Sequence, residues 1–354
     1  MAWPGRATPE KKIELRDLSG TKPVDLGRYA RCRILSVQLA EDGRDWLLCA
    51  STYEKPNLKN AVQLKVVSTK GSFSIPLSHY GASYGLIVPS SKPQSRGLVV
   101  YLTGIMGLTG PEAQLVNVFA LHGWNVLVSS VAFDFHARRQ VRLRREAMND
   151  VAREHGNELN ELLADRAYAV ESLLAYLQKA HPALLKGTRV LVGGSAGAMN
   201  LPAVAARIGK PDIAVLIGGG APASRVIVES SLAAISLAWV EPETDGTFVR
   251  AFTATDRKQF YSAMLKHAPL DPARTAFALK GSQMLMLHGM ADQIVPVETG
   301  DYLHELLGKP ERWTYPMNHI VLFAMLHFNA GSVVNWVNEQ ADKIHRPPSH
   351  LPPR

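Results

Sequence analysis

Three short stretches of this chain hold residue types that can do chemistry together. The first reads Val192-Gly193-Gly194-Ser195-Ala196-Gly197-Ala198 and places Gly-x-Ser-x-Gly after an apolar run and before a helical pattern. A sharp strand-to-helix turn there would lift the Ser195 hydroxyl out of the backbone, and it tolerates only very small neighbours two positions away. The Ala196 N–H would then point outward at a helix start, where it can bind a developing negative charge. A serine hydroxyl is a poor nucleophile until a base takes its proton. The second and third stretches supply the missing groups. Leu287-His288-Gly289-Met290-Ala291-Asp292 puts Asp292 in a turn after an apolar run, and Pro316-Met317-Asn318-His319 puts His319 directly before a long apolar helix.

Each stretch alone has a plainer reading. The glycine-rich turn could serve only to pack helix on sheet, or to bind phosphate, while Asp292 suits a turn or cap and His319 a first helical turn. A Walker loop is excluded because no Gly-Lys-Ser/Thr follows, and the spacing is not Gly-x-Gly-x-x-Gly. Together the residues run in the chain order Ser, Asp, His, which suits acyl transfer by an activated serine.

These residues need elements to hold them. Before Gly97, short runs with strand chemistry fall at 32–39, 45–53, 61–68 and 81–89, separated by turn clusters. After it, apolar runs at 97–102, 125–131, 189–192, 212–217, 283–287 and 312–315 alternate with helical patterns at 112–121, 158–179, 198–208, 297–307 and 320–342. Strands apolar throughout, spaced by amphipathic helices, predict an α/β fold with a doubly wound, mostly parallel sheet covered on both faces. Loops after such strands open on one edge, where ligands of this architecture bind. Ser195, Asp292 and His319 all fall on loops of that kind. Residues 221–281 break the alternation and predict a helical insertion of the lid or cap kind. Its Trp239, Phe248, Phe252, Phe260, Tyr261 and Met264 would either cover a site or form the insertion's own core.

Composition narrows the classes. The chain has 354 residues, 46% of them hydrophobic, with 39 Lys plus Arg against 31 Asp plus Glu for a formal charge of +8. That is globular composition, and a chain this long can bury a core without metal or disulfide staples. Only Cys32 and Cys49 are present, which excludes a cysteine-rich scaffold; whether they pair across a hairpin is left open. No apolar run is long enough for a membrane span, and the first residues have no signal-peptide core, which leaves open a cytoplasmic chain or an exported one without its leader. The densest basic run, Arg138 to Arg145, is followed by Glu146, Asp150, Glu154, Glu158 and Glu161, the pattern of a solvated face. No nucleic-acid-binding module and no metal-ligand spacing occurs, so neither nucleic acid nor a metal or cofactor is expected.

Ser195 in Gly-x-Ser-x-Gly, Asp292 in His-Gly-x-x-Asp-x-x-Val-Pro, and His319 together resemble the α/β-hydrolase superfamily. The resemblance spans residues 61–342 and implies an eight-stranded sheet, built from the last two runs before Gly97 and the six after it. It implies Ser195 as nucleophile, His319 as general base and then acid, and Asp292 as the carboxylate that orients the histidine. It further implies a second oxyanion donor, the Ile105 N–H, in Leu102-Thr103-Gly104-Ile105. Thr103 stands there in place of the family's usual histidine. A second departure is Asp134-Phe135-His136-Ala137, where many members carry Asp-x-Arg-Gly.

The activity so implied is hydrolysis of small to medium carboxylic esters through an acyl-enzyme, without cofactor or metal. A peptidase or amidase on the same residues, or a non-catalytic binding protein of this fold, are the alternatives. The expected partner is a small-molecule ester, with no nucleic acid and no membrane span. The organisation expected is an N-terminal extension with short strands (1–60), a core (61–220 and 282–342), a cap (221–281) and a Pro-rich tail (343–354). The basic run at Arg138 to Arg145 would attract anionic substrates if it borders the site.

Overall fold

The computed structural model describes the strands at 14–16, 23–25, 32–39, 45–51, 62–68 and 71–77 by their backbone, and the chain over 82–131, 139–232, 235–243 and 246–345. In chain order the elements are β1 (Glu14–Arg16), β2 (Pro23–Asp25), β3 (Cys32–Leu39), β4 (Asp45–Ser51), β5 (Val62–Ser68), β6 (Gly71–Leu77), β7 (Ala82–Val88) and β8 (Gly97–Leu102). Then come α1 (Gly110–Leu121), β9 (Trp124–Val131), β10 (Arg139–Leu143), α2 (Met148–Ala180), β11 (Thr188–Gly194), α3 (Ala196–Ile208) and β12 (Ile213–Ile217). The remainder is α4 (Ala223–Glu229), β13 (Ile235–Glu243), β14 (Gly246–Ala251), α5 (Ala254–Lys266), α6 (Pro272–Thr275), β15 (Gln283–Gly289), α7 (Val297–Leu306), β16 (Glu311–Tyr315) and α8 (His319–His345).

The main sheet is doubly wound and has the order β16-β15-β12-β11-β8-β9-β7-β4-β3. From β16 to β9 all neighbours are parallel, and β7, β4 and β3 continue the sheet antiparallel. The alternation along β8 shows why both faces are buried. Leu98, Val100 and Leu102 join the core packed by α2 and α3, whereas Val99 and Tyr101 join the core packed by α1 and α8. A strand apolar on both sides has nowhere to sit except between two helical layers.

Among the described residues the sheet has nine strands, not the eight expected, and their identity also differs. The run at 61–68 is not in it. Its strand β5 pairs instead with β6, from Ser68↔Gly71 to Val62↔Leu77, as a separate hairpin. β6 reads Gly-Ser-Phe-Ser-Ile-Pro-Leu, and its Pro76 and two serines hide a strand from sequence reading; once formed, its close connection wins the pairing over the distant sheet. The place beside β7 goes to β4, and β3 follows β4 at the edge, so the main sheet draws on residues from Cys32 onward. The β3–β4 register sets Cys49 opposite Ile34 and Cys32 opposite Ser51, so the two cysteines are not directly paired positions.

The interval 221–281 is not purely helical either. β13 and β14 pair antiparallel there, and β10 from outside the interval adds a parallel third strand. The expectation failed because β13 alternates, with Leu237 and Trp239 buried, and ends in Glu-Pro-Glu, whereas the strands sought were apolar throughout. Its aromatics make a core of their own. Trp239 stacks on Phe252 at 4.4 Å, and Phe252 meets Phe260 edge-on at 6.0 Å. Phe248 and the tail 346–354 lie outside the residues whose side chains are described.

Candidate active site

Strand register brings the site loops to one place. Gly193 pairs with Leu102, Gly194 with Ile217, Ile217 with Leu287, and Gly289 with Tyr315. The segments that follow these strand ends carry Thr103 to Ile105, Ser195, Gly218, Asp292 and His319, all at the carboxyl edge of the parallel strands.

Ser195 sits between β11 and α3 with φ 52° and ψ −118°, a conformation a non-glycine residue adopts only under constraint. Its N–H donates to the Ile217 carbonyl at 2.7 Å, which anchors the turn to the next strand. The flanking glycines are steric requirements. A Cβ on Gly193 would come within 2.6 Å of the Gly197 carbonyl carbon, and one on Gly197 would run into the Leu102 and Thr103 carbonyls.

Asp292 is held by its own turn. Its Oδ1 accepts from the Ile294 and Val295 amides at 2.9 and 2.8 Å, leaving Oδ2 for His319 Nδ1 at 2.6 Å. His319 Nε2 in turn lies 2.9 Å from Ser195 Oγ. A carboxylate at Nδ1 keeps the proton on that nitrogen, so Nε2 is the acceptor and the Ser195 hydroxyl the donor. All three side chains are buried, at 7%, 3% and 7% exposure for Ser195, Asp292 and His319. The imidazole packs against Phe323 with ring centroids 4.9 Å apart. Gly218 (φ +59°) makes room for it, since a Cβ there would sit 3.0 Å from His319 Cε1.

Ala196 is the first residue of α3, where a helical N–H has no intrahelical partner. Ile105 lies in a turn after β8, closed by the Gly107 amide on the Gly104 carbonyl at 3.2 Å. That turn abuts the serine, for a Cβ on Gly104 would lie 3.3 Å from Ser195 Cβ. Strand order, parallel crossovers and a constrained serine turn at the carboxyl edge settle the architecture.

The chain has an α/β-hydrolase fold.

No family model matches this sequence, and no curated protein matches it. Among solved structures, Est1E from Butyrivibrio proteoclasticus is 11% identical over 79% of this chain and 99% of that one, with a TM-score of 0.47. The Pyrococcus furiosus esterase Pf2001 is 13% identical over 81% and 94%, at 0.45. The Pyrococcus horikoshii acylaminoacyl peptidase is 12% identical over 86% of this chain and 48% of that one, at 0.46.

Beside the hydrolase-fold residues read from sequence, three buried polar side chains went unread. Glu112, the third residue of α1, is 1% exposed. It completes a capping box with Thr109, and burial raises its pKa. The spacing Thr109-x-x-Glu112 was the signal that could have found it. Arg166 of α2 is also 1% exposed, and nothing in its polar helical surroundings marks it in the sequence. His288 is fully buried at the end of β15, with neither ring nitrogen meeting a partner among the described residues. Burial, with the Arg312 guanidinium, lowers its pKa to about 4.

Ser231 after α4 donates its amide to the Gln293 carbonyl at 2.8 Å, which ties the 221–281 interval to the Asp292 turn. Of the basic run, Arg138 lies outside the described residues, Arg142 and Arg144 are exposed, and the Arg145 guanidinium stands 5.1 Å over the Trp239 ring. The segment Asp134 to Ala137 also lies outside them. No group of three or more His, Cys, Asp or Glu suited to a metal occurs among the described residues. α8 is long and apolar enough to cross a bilayer by length and composition, yet Leu322, Leu326, Val333, Val334 and Val337 along it are buried.

Proposed function

We propose that this chain is a serine hydrolase of small to medium carboxylic esters. The observation that carries the reading is the hydrogen-bonded chain from Asp292 through His319 to Ser195, at 2.6 and 2.9 Å. In the proposed reaction Ser195 Oγ attacks the ester carbonyl while His319 Nε2 takes the hydroxyl proton, and Asp292 stabilises the imidazolium. The carbonyl oxygen becomes an oxyanion that the Ala196 and Ile105 N–H groups bind, each contributing about 3 kcal/mol. Collapse expels the alcohol, which leaves with the proton from His319. Water, deprotonated by the same nitrogen, then attacks the acyl-serine and releases the acid.

A cavity of about 570 Å³ beside His319, with Ile294, Pro316, Met317, Ile320 and Val321 among its lining residues, suits an acyl or alcohol group of that size. The test is hydrolysis of a p-nitrophenyl ester chain-length series by the wild type and by Ser195→Ala. Turnover in the wild type that vanishes in the variant supports the reading, and the preferred chain length sizes the pocket. A wild type inert on every ester overturns it.

A further inference from the structure

The turn after β8 has scaffolding of its own that neither Ser195, Asp292 nor His319 supplies. Two consecutive peptide units are involved. In the first, between Thr103 and Gly104, the carbonyl oxygen accepts from Arg166 Nη2 at 2.8 Å. The N–H of that same unit donates to Glu112 Oε1 at 3.4 Å. A guanidinium and a carboxyl group, both about 1% exposed, thus hold the opposite ends of one peptide dipole.

The second unit, between Gly104 and Ile105, is held by its carbonyl. That oxygen accepts from Thr103 Oγ1 at 3.1 Å and from the Gly107 amide at 3.2 Å. A trans peptide points its N–H opposite its carbonyl. Fixing the Gly104 oxygen therefore directs the Ile105 N–H the other way, and Gly104 lies against Ser195. The Thr103 hydroxyl is itself tied to Ser130 Oγ at 2.9 Å.

Helix capping alone does not account for Glu112. Its Oε2 serves the cap, accepting from the Thr109 amide at 3.0 Å and hydroxyl at 2.7 Å. Its Oε1 turns inward to the Gly104 amide and to the Tyr101 hydroxyl at 3.1 Å. The same oxygen lies 2.9 Å from where a Cβ on Gly194 would be, so it sits behind both the turn and the serine.

We infer that Thr103, Glu112 and Arg166 are positioning residues that set the direction of the Ile105 N–H as an oxyanion donor. The inference rests on the serine-hydrolase reading above. It also gives the threonine that replaces the expected histidine a task, since its hydroxyl reaches a backbone carbonyl of the donor's own peptide.

The test compares Thr103→Val, which keeps shape and deletes the hydroxyl, with Thr103→Ser, which keeps the hydroxyl, and with Glu112→Gln. Each is assayed for kcat and KM on the ester the wild type cleaves best. Each is also assayed for inhibition by phenylboronic acid, which becomes tetrahedral on the serine oxygen. Deleting one donor outright costs about 100- to 1,000-fold, so a misdirected one is expected to cost about tenfold in kcat. Boronate affinity should weaken in parallel for Thr103→Val and Glu112→Gln, KM should stay within about twofold, and Thr103→Ser should restore both. Wild-type kcat in both altered variants overturns the inference. So does a loss that tracks a lowered Tm and is not rescued by serine. A wild type that neither cleaves esters nor binds the boronate overturns the serine-hydrolase reading and this inference with it. An active wild type with unaffected variants overturns the positioning role alone.

Discussion

Asp292 spends one carboxylate oxygen on its own turn and the other on His319, so its orientation is fixed from both sides. Asp292→Asn keeps the shape but presents an amide that can favour the wrong imidazole tautomer. It is expected to lower kcat by about 10⁴ with little change in KM, measured on the best p-nitrophenyl ester. Ser195, Asp292 and His319 were legible because each stands at a strand end and together they run in a recognisable order. Thr109-x-x-Glu112 marks a helix cap, but neither the burial of Glu112 nor that of Arg166 was legible, because a buried polar residue inside a helix differs from an exposed one only in what packs over it. Sequence periodicity does not report that distinction for isolated positions.

Two glycines separate local steric demand from local freedom. Gly197, inside the first turn of α3, faces the Leu102 and Thr103 carbonyls, whereas Gly331, in the middle of α8, has nothing within 4 Å of its missing Cβ. Gly197→Ala is expected to abolish ester hydrolysis and lower the melting temperature, because the backbone of the turn at Ser195 must shift. Gly331→Ala is expected to leave activity intact and to stabilise by about 0.5–1 kcal/mol, since it removes backbone freedom from the unfolded chain. Thermal melts and initial rates on the same preparations check both. At this scale β8, β12 and the middles of β11 and β15 were legible as apolar runs, whereas β9 and β16 carry polar residues within theirs. β10, β13 and β14 were not legible, for basic, acidic and proline residues interrupt the apolar pattern within them. β6 escaped for a similar reason.

Across the molecule, burial of ionisable groups couples stability to pH. His288 is neutral in the native state, and its pKa of about 4 lies below the ordinary value of 6.5. Between these values the unfolded chain binds more protons, so this contribution is complete above about pH 6.5 and is lost as pH falls toward and through 4. The difference corresponds to at most about 3 kcal/mol. Glu112 and Asp271, raised by burial, act in the opposite sense, losing their contribution as pH rises past the ordinary carboxylate range. Urea unfolding of the wild type and of His288→Gln at intervals between pH 4 and 7 should show a shallower decline on the acid side in the variant. Equal slopes would remove His288 from the account.

The parallel pairing of β10 with β13 joins segments about 100 residues apart, with β11, α3 and β12 synthesised between them. The strands at 235–251 therefore cannot be lifted out and transplanted as a cassette, because β10, the parallel neighbour of β13, would be left behind in the host. As the chain emerges from the ribosome, β10 must wait with an open edge until the Ser195 turn has been made and β13 arrives. The Ser195 turn is thus synthesised before the three-stranded sheet can be completed, and anything that stalls translation in that window leaves an unpaired strand exposed to other chains.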